Sequence, residues 1–167
     1  GFKVLPDYGL NDMPENYAGL VLIGGMNWFS PLGELIVPLV EKAVKENKLV
    51  AGICNASVFL GMHGFLNEVK HTSNTLDYLK QYAGDKYTGD SNYINKQAVR
   101  DGNIVTANGT GQLEFCKEIL YALEADTTDA ICFTKMDSAR RHKTNERMTI
   151  LKKRIFKQSE WLQLYYV

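Results

Sequence analysis

Several things are scarce in this 167-residue chain, and surplus charge is the first: 19 Lys and Arg balance 19 Asp and Glu. Proteins that hold nucleic acid, anionic membranes or polyanionic substrates through bulk electrostatics carry an excess of one sign, so none of these partners is expected. Long apolar runs are also missing. Nothing nears the ~18 residues of a membrane span, because Gly24-Gly25 ends one apolar stretch and Pro38 interrupts another. Cysteine is limited to Cys54, Cys116 and Cys132. An odd, widely spaced set cannot close a disulfide framework, and it fits a reducing, cytoplasmic setting. Three histidines scattered among them show no metal-ligand spacing, so neither a metal nor a cofactor is expected. What the chain does have, 45% hydrophobic and 11% aromatic residues, suffices for one ordinary core.

The zero net charge is the sum of two unlike parts. Residues 1–126 hold 10 basic and 15 acidic side chains, net −5, and residues 127–167 hold 9 and 4, net +5. In the second part Met148, Leu151, Ile155 and Leu162 recur at helical intervals, while Arg147, Lys152, Lys153, Arg154 and Lys157 mostly fall elsewhere. That pattern predicts a basic amphipathic helical extension, ending in an apolar and aromatic stretch from Trp161 to Val167 and docked on the acidic domain or on a second copy of it.

Residues 1–126 alternate strand-like and helix-like segments. Phe2 to Leu5 is a short β-rich run, and Gly19 to Ile23 and Leu49 to Ile53 are continuous apolar runs of buried-strand type. Ser30-Pro31 predicts a helix start, Pro38 a second helical piece to Asn47, and Asn55 to Met62 a helix directly after the Leu49 run. Asn74 is read as the cap of a helix over Thr75 to Tyr82. Asp101-Gly102 predicts a hairpin between Gln97–Arg100 and Asn103–Ala107, and Gly109-Thr110-Gly111 opens a last helix with Leu113, Phe115, Cys116, Ile119, Leu120 and Leu123 on its apolar stripe. Such alternation predicts an α/β layered domain with a largely parallel sheet.

One stretch carries chemistry. In Val50-Ala51-Gly52-Ile53-Cys54-Asn55-Ala56 a strand ends, a nucleophilic side chain follows, and a helix begins at once. So tight a strand-to-helix turn demands small residues two before and two after the nucleophile, and Gly52 and Ala56 meet that demand. The positive end of the helix dipole favours a thiolate at Cys54. A thiolate attacking a carbonyl needs donors for the oxyanion, and the backbone N–H groups of Gly25 and Asn55 are the expected ones. His71 is the expected acid/base group, His63 a packing or surface residue, and Cys116 a core residue.

Leu20-Val21-Leu22-Ile23-Gly24-Gly25, Gly52-Ile53-Cys54-Asn55-Ala56, Lys70-His71-Thr72-Ser73-Asn74 and Asn108-Gly109-Thr110-Gly111 with Glu114-Phe115 follow one another as do the motifs of the ThiJ/PfpI family, which the chain resembles from Phe2 to Glu124. That resemblance implies a flavodoxin-like sandwich of the class I glutamine amidotransferase-like superfamily. It implies a reactive Cys54, a pocket that includes Gly24, Asn74, Gly109 and Thr110, and a homodimer. By the same resemblance the family's first strand, followed by an acid that hydrogen-bonds the thiol, falls before Gly1, and Ala130 to Thr134 is the spare β-like run that could occupy its slot. Hydrolytic relatives place a histidine after the nucleophile; here it is Asn55, whose amide is no general base, which weakens a protease-like activity. The expected function is cysteine-dependent hydrolase or lyase chemistry on a small carbonyl compound. The alternatives are a sensor that uses oxidation of Cys54, and the ligand-sensing module of a transcriptional regulator.

Overall fold

The computed structural model describes residues 5–125 and the backbone of residues 162–164. The sheet is built on two short apolar runs, β1 (Gly19–Leu22) and β2 (Leu49–Ile53), which lie parallel with Gly19 opposite Leu49. Between them run α1 (Pro31–Glu34) and α2 (Val37–Lys45), each with a proline at its first or second position, where the missing N–H is not needed. After β2 come α3 (Asn55–Met62), α4 (Leu76–Ala83), the hairpin strands β3 (Ala98–Asp101) and β4 (Ile104–Ala107), and α5 (Gln112–Ala122). A last strand, β5 (Leu162–Leu164), pairs parallel with β1 on the edge away from β2.

The strand order is β3-β4-β2-β1-β5, parallel except for the β3–β4 hairpin. All five residues of β2 are buried because both faces of the sheet are covered. Val50 joins Leu20, Leu22, Val40, Phe59 and Leu79 on the face carrying α2, α3 and α4, whereas Leu49, Ala51 and Ile53 pack with Val105, Phe115 and Ile119 under α5. That alternation is the period-two geometry of a strand, and it gives the expected three-layer α/β arrangement. At Gly52 α3 rests almost on the strand backbone: a Cβ there would lie 2.9 Å from Leu60 and 3.2 Å from the Ala56 backbone.

Four local expectations are corrected. The cap of α4 is Thr75, whose extended backbone lets its hydroxyl accept from the Tyr78 N–H, because the Asn74 side chain is engaged elsewhere. The hairpin loop is Gly102-Asn103, one residue later than Asp101-Gly102, with Gly102 at φ +54°. Cys116, read as a core residue, is exposed, while Phe115, Ile119 and Leu120 form the buried face of α5. Finally, Leu162 to Leu164, read as the end of a basic helix, form strand β5 at the β1 edge. The rest of that expected helix, the Ala130–Thr134 run, the 126/127 boundary, most of the Phe2–Leu5 run and Cys132 lie outside the described residues.

Candidate active site

The chain leaves β2 and enters α3 through one residue, Cys54, with φ +58° and ψ −127°. That conformation costs a non-glycine residue on the order of 1–3 kcal/mol and must be held by its surroundings. Three hydrogen bonds hold it. The Cys54 N–H donates to Ala107 O at 2.9 Å, and the Cys54 carbonyl accepts from the Ser57 N–H at 3.0 Å and from Ser57 Oγ at 2.6 Å. Ser57 Oγ shares a further bond with buried Ser73 Oγ at 2.8 Å, tying the elbow to the segment before α4. Glycines open the space around the half-buried thiol: a Cβ on Gly24 would lie 2.8 Å from Cys54 Cβ, and one on Gly109 would lie 3.2 Å from Sγ.

Asn74 faces the sulfur with a fixed orientation. Its Oδ1 accepts from the Gly109 N–H at 3.0 Å, so its amide hydrogens point away from Gly109, placing Nδ2 3.6 Å from Cys54 Sγ and 3.5 Å from Asn55 Oδ1. The same Asn55 oxygen accepts from the Tyr78 hydroxyl at 3.2 Å, which turns Asn55 Nδ2 toward Met26 Sδ at 3.3 Å. Desolvation, then the neighbouring Tyr82 and Cys54, push the Tyr78 phenol up, so it is protonated at neutral pH and can donate but not act as a base. Asn55 is the first residue of α3, where a backbone N–H has no partner within its helix.

Cys54, Asn55, Asn74, Gly24 and Gly109 are therefore brought together, with Gly25 next in the chain to Gly24. Two expected site residues are not joined to them. Thr110 closes its own turn, its hydroxyl lying 2.9 Å from Asn108 Oδ1 and 3.0 Å from Gln97 Oε1. His71 is wholly buried: Nδ1 donates to Val69 O at 2.7 Å, which leaves Nε2 to accept from the Tyr87 hydroxyl at 2.7 Å. Its ring meets Tyr87 and Tyr93 edge-on, so both nitrogens serve packing and neither is bonded to the Cys54 cluster. His63, as expected, packs, with its ring between Phe59 and Phe65 and Nε2 3.4 Å from Glu34 Oε1. Sequence reasoning missed Ser57, Ser73, Met26 and Tyr78. The legible hints were Ser57 three residues after Cys54 and Tyr78 one helical turn after Asn74.

Burial pushes the His71 imidazole down, against a smaller upward pull from Val69 O, and burial pushes His63 down as well. A histidine depressed in the folded state binds its proton more readily when unfolded, so stability is full above the ordinary value of about 6.5 and falls as the pH drops below it. The expected result is a thermal midpoint lower at pH 5.5 than at pH 7.5, with the His71 ring titrating below the free-imidazole range by NMR. A His71 ring that titrates like free imidazole would contradict this.

A flavodoxin-like sheet with a cysteine at a strand-to-helix elbow defines a class of α/β proteins in which that side chain stands at the carboxyl edge of the sheet. Within that class the chain belongs to the DJ-1/PfpI family, whose model matches residues 1–122. It is 40% identical over 131 residues to YdeA of Bacillus subtilis (strain 168), a protein named as an uncharacterized protease; the match covers 78% of this chain and 65% of that relative, so the chain spans just under two thirds of its length. Among solved structures it superposes on a thiJ/pfpI family protein from Bacillus anthracis with TM-score 0.76 and 31% identity, covering 91% of this chain and 71% of that one. It is also similar to the DJ-1 superfamily protein Atu0886 from Agrobacterium tumefaciens, with TM-score 0.74 and 34% identity, covering 85% and 76%. Among the described residues no helix is long and apolar enough to cross a membrane, and no group of three or more His, Cys, Asp or Glu is set to hold a metal ion.

Proposed function

We propose that Cys54 is the nucleophile of a hydrolase- or lyase-type reaction on a small carbonyl compound, in a homodimeric cytoplasmic protein whose thiol is kept reduced there. The observation that carries this is the elbow itself: a cysteine held at φ +58° at the start of α3, with glycines at its flanks and the Asn74 amide 3.6 Å from its sulfur. In the proposed step the thiol proton leaves to solvent and the sulfur lone pair forms an S–C bond to the carbonyl carbon. The C=O π pair moves onto oxygen, where the Gly25 and Asn55 N–H groups donate. Protonation of that oxygen by water gives a hemithioacetal from an aldehyde; an ester instead expels its alcohol and leaves a thioester for water to cleave. Asn74 Nδ2 steadies the anionic sulfur before attack. The folded chain is expected to turn over at least one member of an aldehyde and ester panel, and silence across that panel would refute the proposal.

A second reading, oxidation sensing at the same thiol, is favoured by a specific feature: the side chains bonded to Cys54, Asn55 and Asn74 are neutral amides, a thioether and a phenol, none of them a general base at neutral pH. Cys116, though exposed as a residue, has its thiol pushed up by burial, which lowers its thiolate fraction. Limited peroxide is therefore expected to give sulfenic acid at Cys54 before Cys116, read by trapping and peptide mass spectrometry. Equal oxidation of the two would count against this reading.

A further inference from the structure

An uncharged run of rings and a thioether leads to the reactive thiol. Phe29, just before α1, packs on Tyr82 of α4 with ring centroids 5.0 Å apart, and Tyr82 packs on Tyr78, one turn back, at 4.6 Å. Tyr78 closes on Asn55 through its hydroxyl, and Met26 touches the other end of the same Asn55 side chain. Asn55 directly follows Cys54, so the run flanks the nucleophile. Isolated exposed apolar side chains are ordinary on a protein surface. These differ in being joined contact by contact, and Met26 and Tyr82 are 71% and 43% exposed.

Charge is absent from this run. The ion pairs among the described residues, Lys42 with Glu15 and Glu46, Lys48 with Glu46, Lys80 with Asp90, and Arg100 with Glu118, include none of its members. A carboxylate or phosphate laid along these side chains would lose water without gaining a cation from them. A phenyl or branched alkyl group would bury apolar area, stack on the tyrosines and be accommodated by the flexible methionine.

We propose that the site takes a neutral carbonyl compound carrying an aromatic or bulky apolar group, which lies along Met26, Tyr78 and Tyr82, in preference to a small anionic oxo acid. This rests on Cys54 being the nucleophile, and alkylation separates the two ideas without requiring turnover. In the full chain, Cys54 sulfur displaces bromide from 2-bromoacetophenone or iodide from iodoacetate; an S–C bond forms and the halide leaves with the bonding pair. Rates at Cys54 and Cys116 are followed by peptide mass spectrometry, each divided by the rate for N-acetylcysteine. The aromatic-to-anionic ratio at Cys54 is expected to exceed that at Cys116 by about tenfold. Tyr82→Lys, which puts a cation on an exposed position, is expected to lower the Cys54 ratio by about tenfold, and Met26→Lys to shift it the same way. A Cys54 that reacts readily but with the Cys116 ratio, or a ratio unmoved by both lysine variants, overturns the substrate preference alone. A Cys54 no faster than Cys116 with either reagent overturns the nucleophile assignment and the preference with it.

Discussion

Cys54→Ser is expected to lower kcat/KM on whichever carbonyl compound the chain turns over by at least ~10³-fold, because a serine hydroxyl is not ionised near neutral pH and no bonded neighbour is a base that could activate it. The substitution changes one atom and should preserve the fold, since the bonds that hold the elbow run through backbone and Ser57: Cys54 N–H to Ala107 O, and Ser57 N–H and Oγ to the Cys54 carbonyl. Cys116→Ser, on the exposed side of α5, should leave the rate within about twofold, as surface changes away from a site do. Steady-state kinetics on the two variants decide the matter. A Cys54→Ser protein retaining a tenth or more of the activity would mean that the chemistry belongs to another group.

The largest loss of stability is expected from Phe59→Ala. Among the described residues Phe59 is the largest of the fully buried side chains; its ring centroid lies 4.8 Å from that of Trp28 and 4.8 Å from that of His63, and α3, which carries it, is buried at seven of its eight positions. Removing a phenyl ring so enclosed forfeits its transfer energy and leaves a cavity, about 3–5 kcal/mol in total. For a domain of this size that lowers the thermal midpoint by roughly 10–20 °C. Urea unfolding measures the first figure and a thermal melt the second. A loss below about 1 kcal/mol would show that α3 repacks without its central ring. Since α3 begins directly after Cys54, its packing also sets how firmly the strained Cys54 backbone is held.

The elbow was legible because its constraint is local. A strand running straight into a helix must have small residues beside the turn, and Gly52 and Ala56 are neighbouring signals of a close approach that the structure bears out at Gly52, whereas the approach of Gly24 to Cys54 is made by packing between separate segments. The extents of β2 and α3 match the expected Leu49–Ile53 and Asn55–Met62 for the same reason: apolar run, turn and helical period all lie within fourteen residues. The roles of His71, Asn74 and Thr110 were not legible in this way. A polar side chain in a connecting segment takes whichever partner the fold presents, and Asn74 could have capped α4 had Gly109, 35 positions away, not claimed its oxygen.

The same division holds at the edges of the sheet. Buried strands follow from continuous apolar runs, so β1 and β2 could be read directly, whereas Leu162 to Leu164 belong to a segment whose periodicity is helical and whose pairing with β1 depends on an open strand edge. By itself, the amino-acid order determined the α/β class, the family and the position of the elbow cysteine, because period, turn chemistry and a tight elbow act over a few residues. Only the tertiary structure decided which polar groups face that thiol, which histidine is sealed in the core, and that the Tyr78 hydroxyl bonds Asn55, because hydrogen bonds and ring contacts between distant residues are fixed by packing.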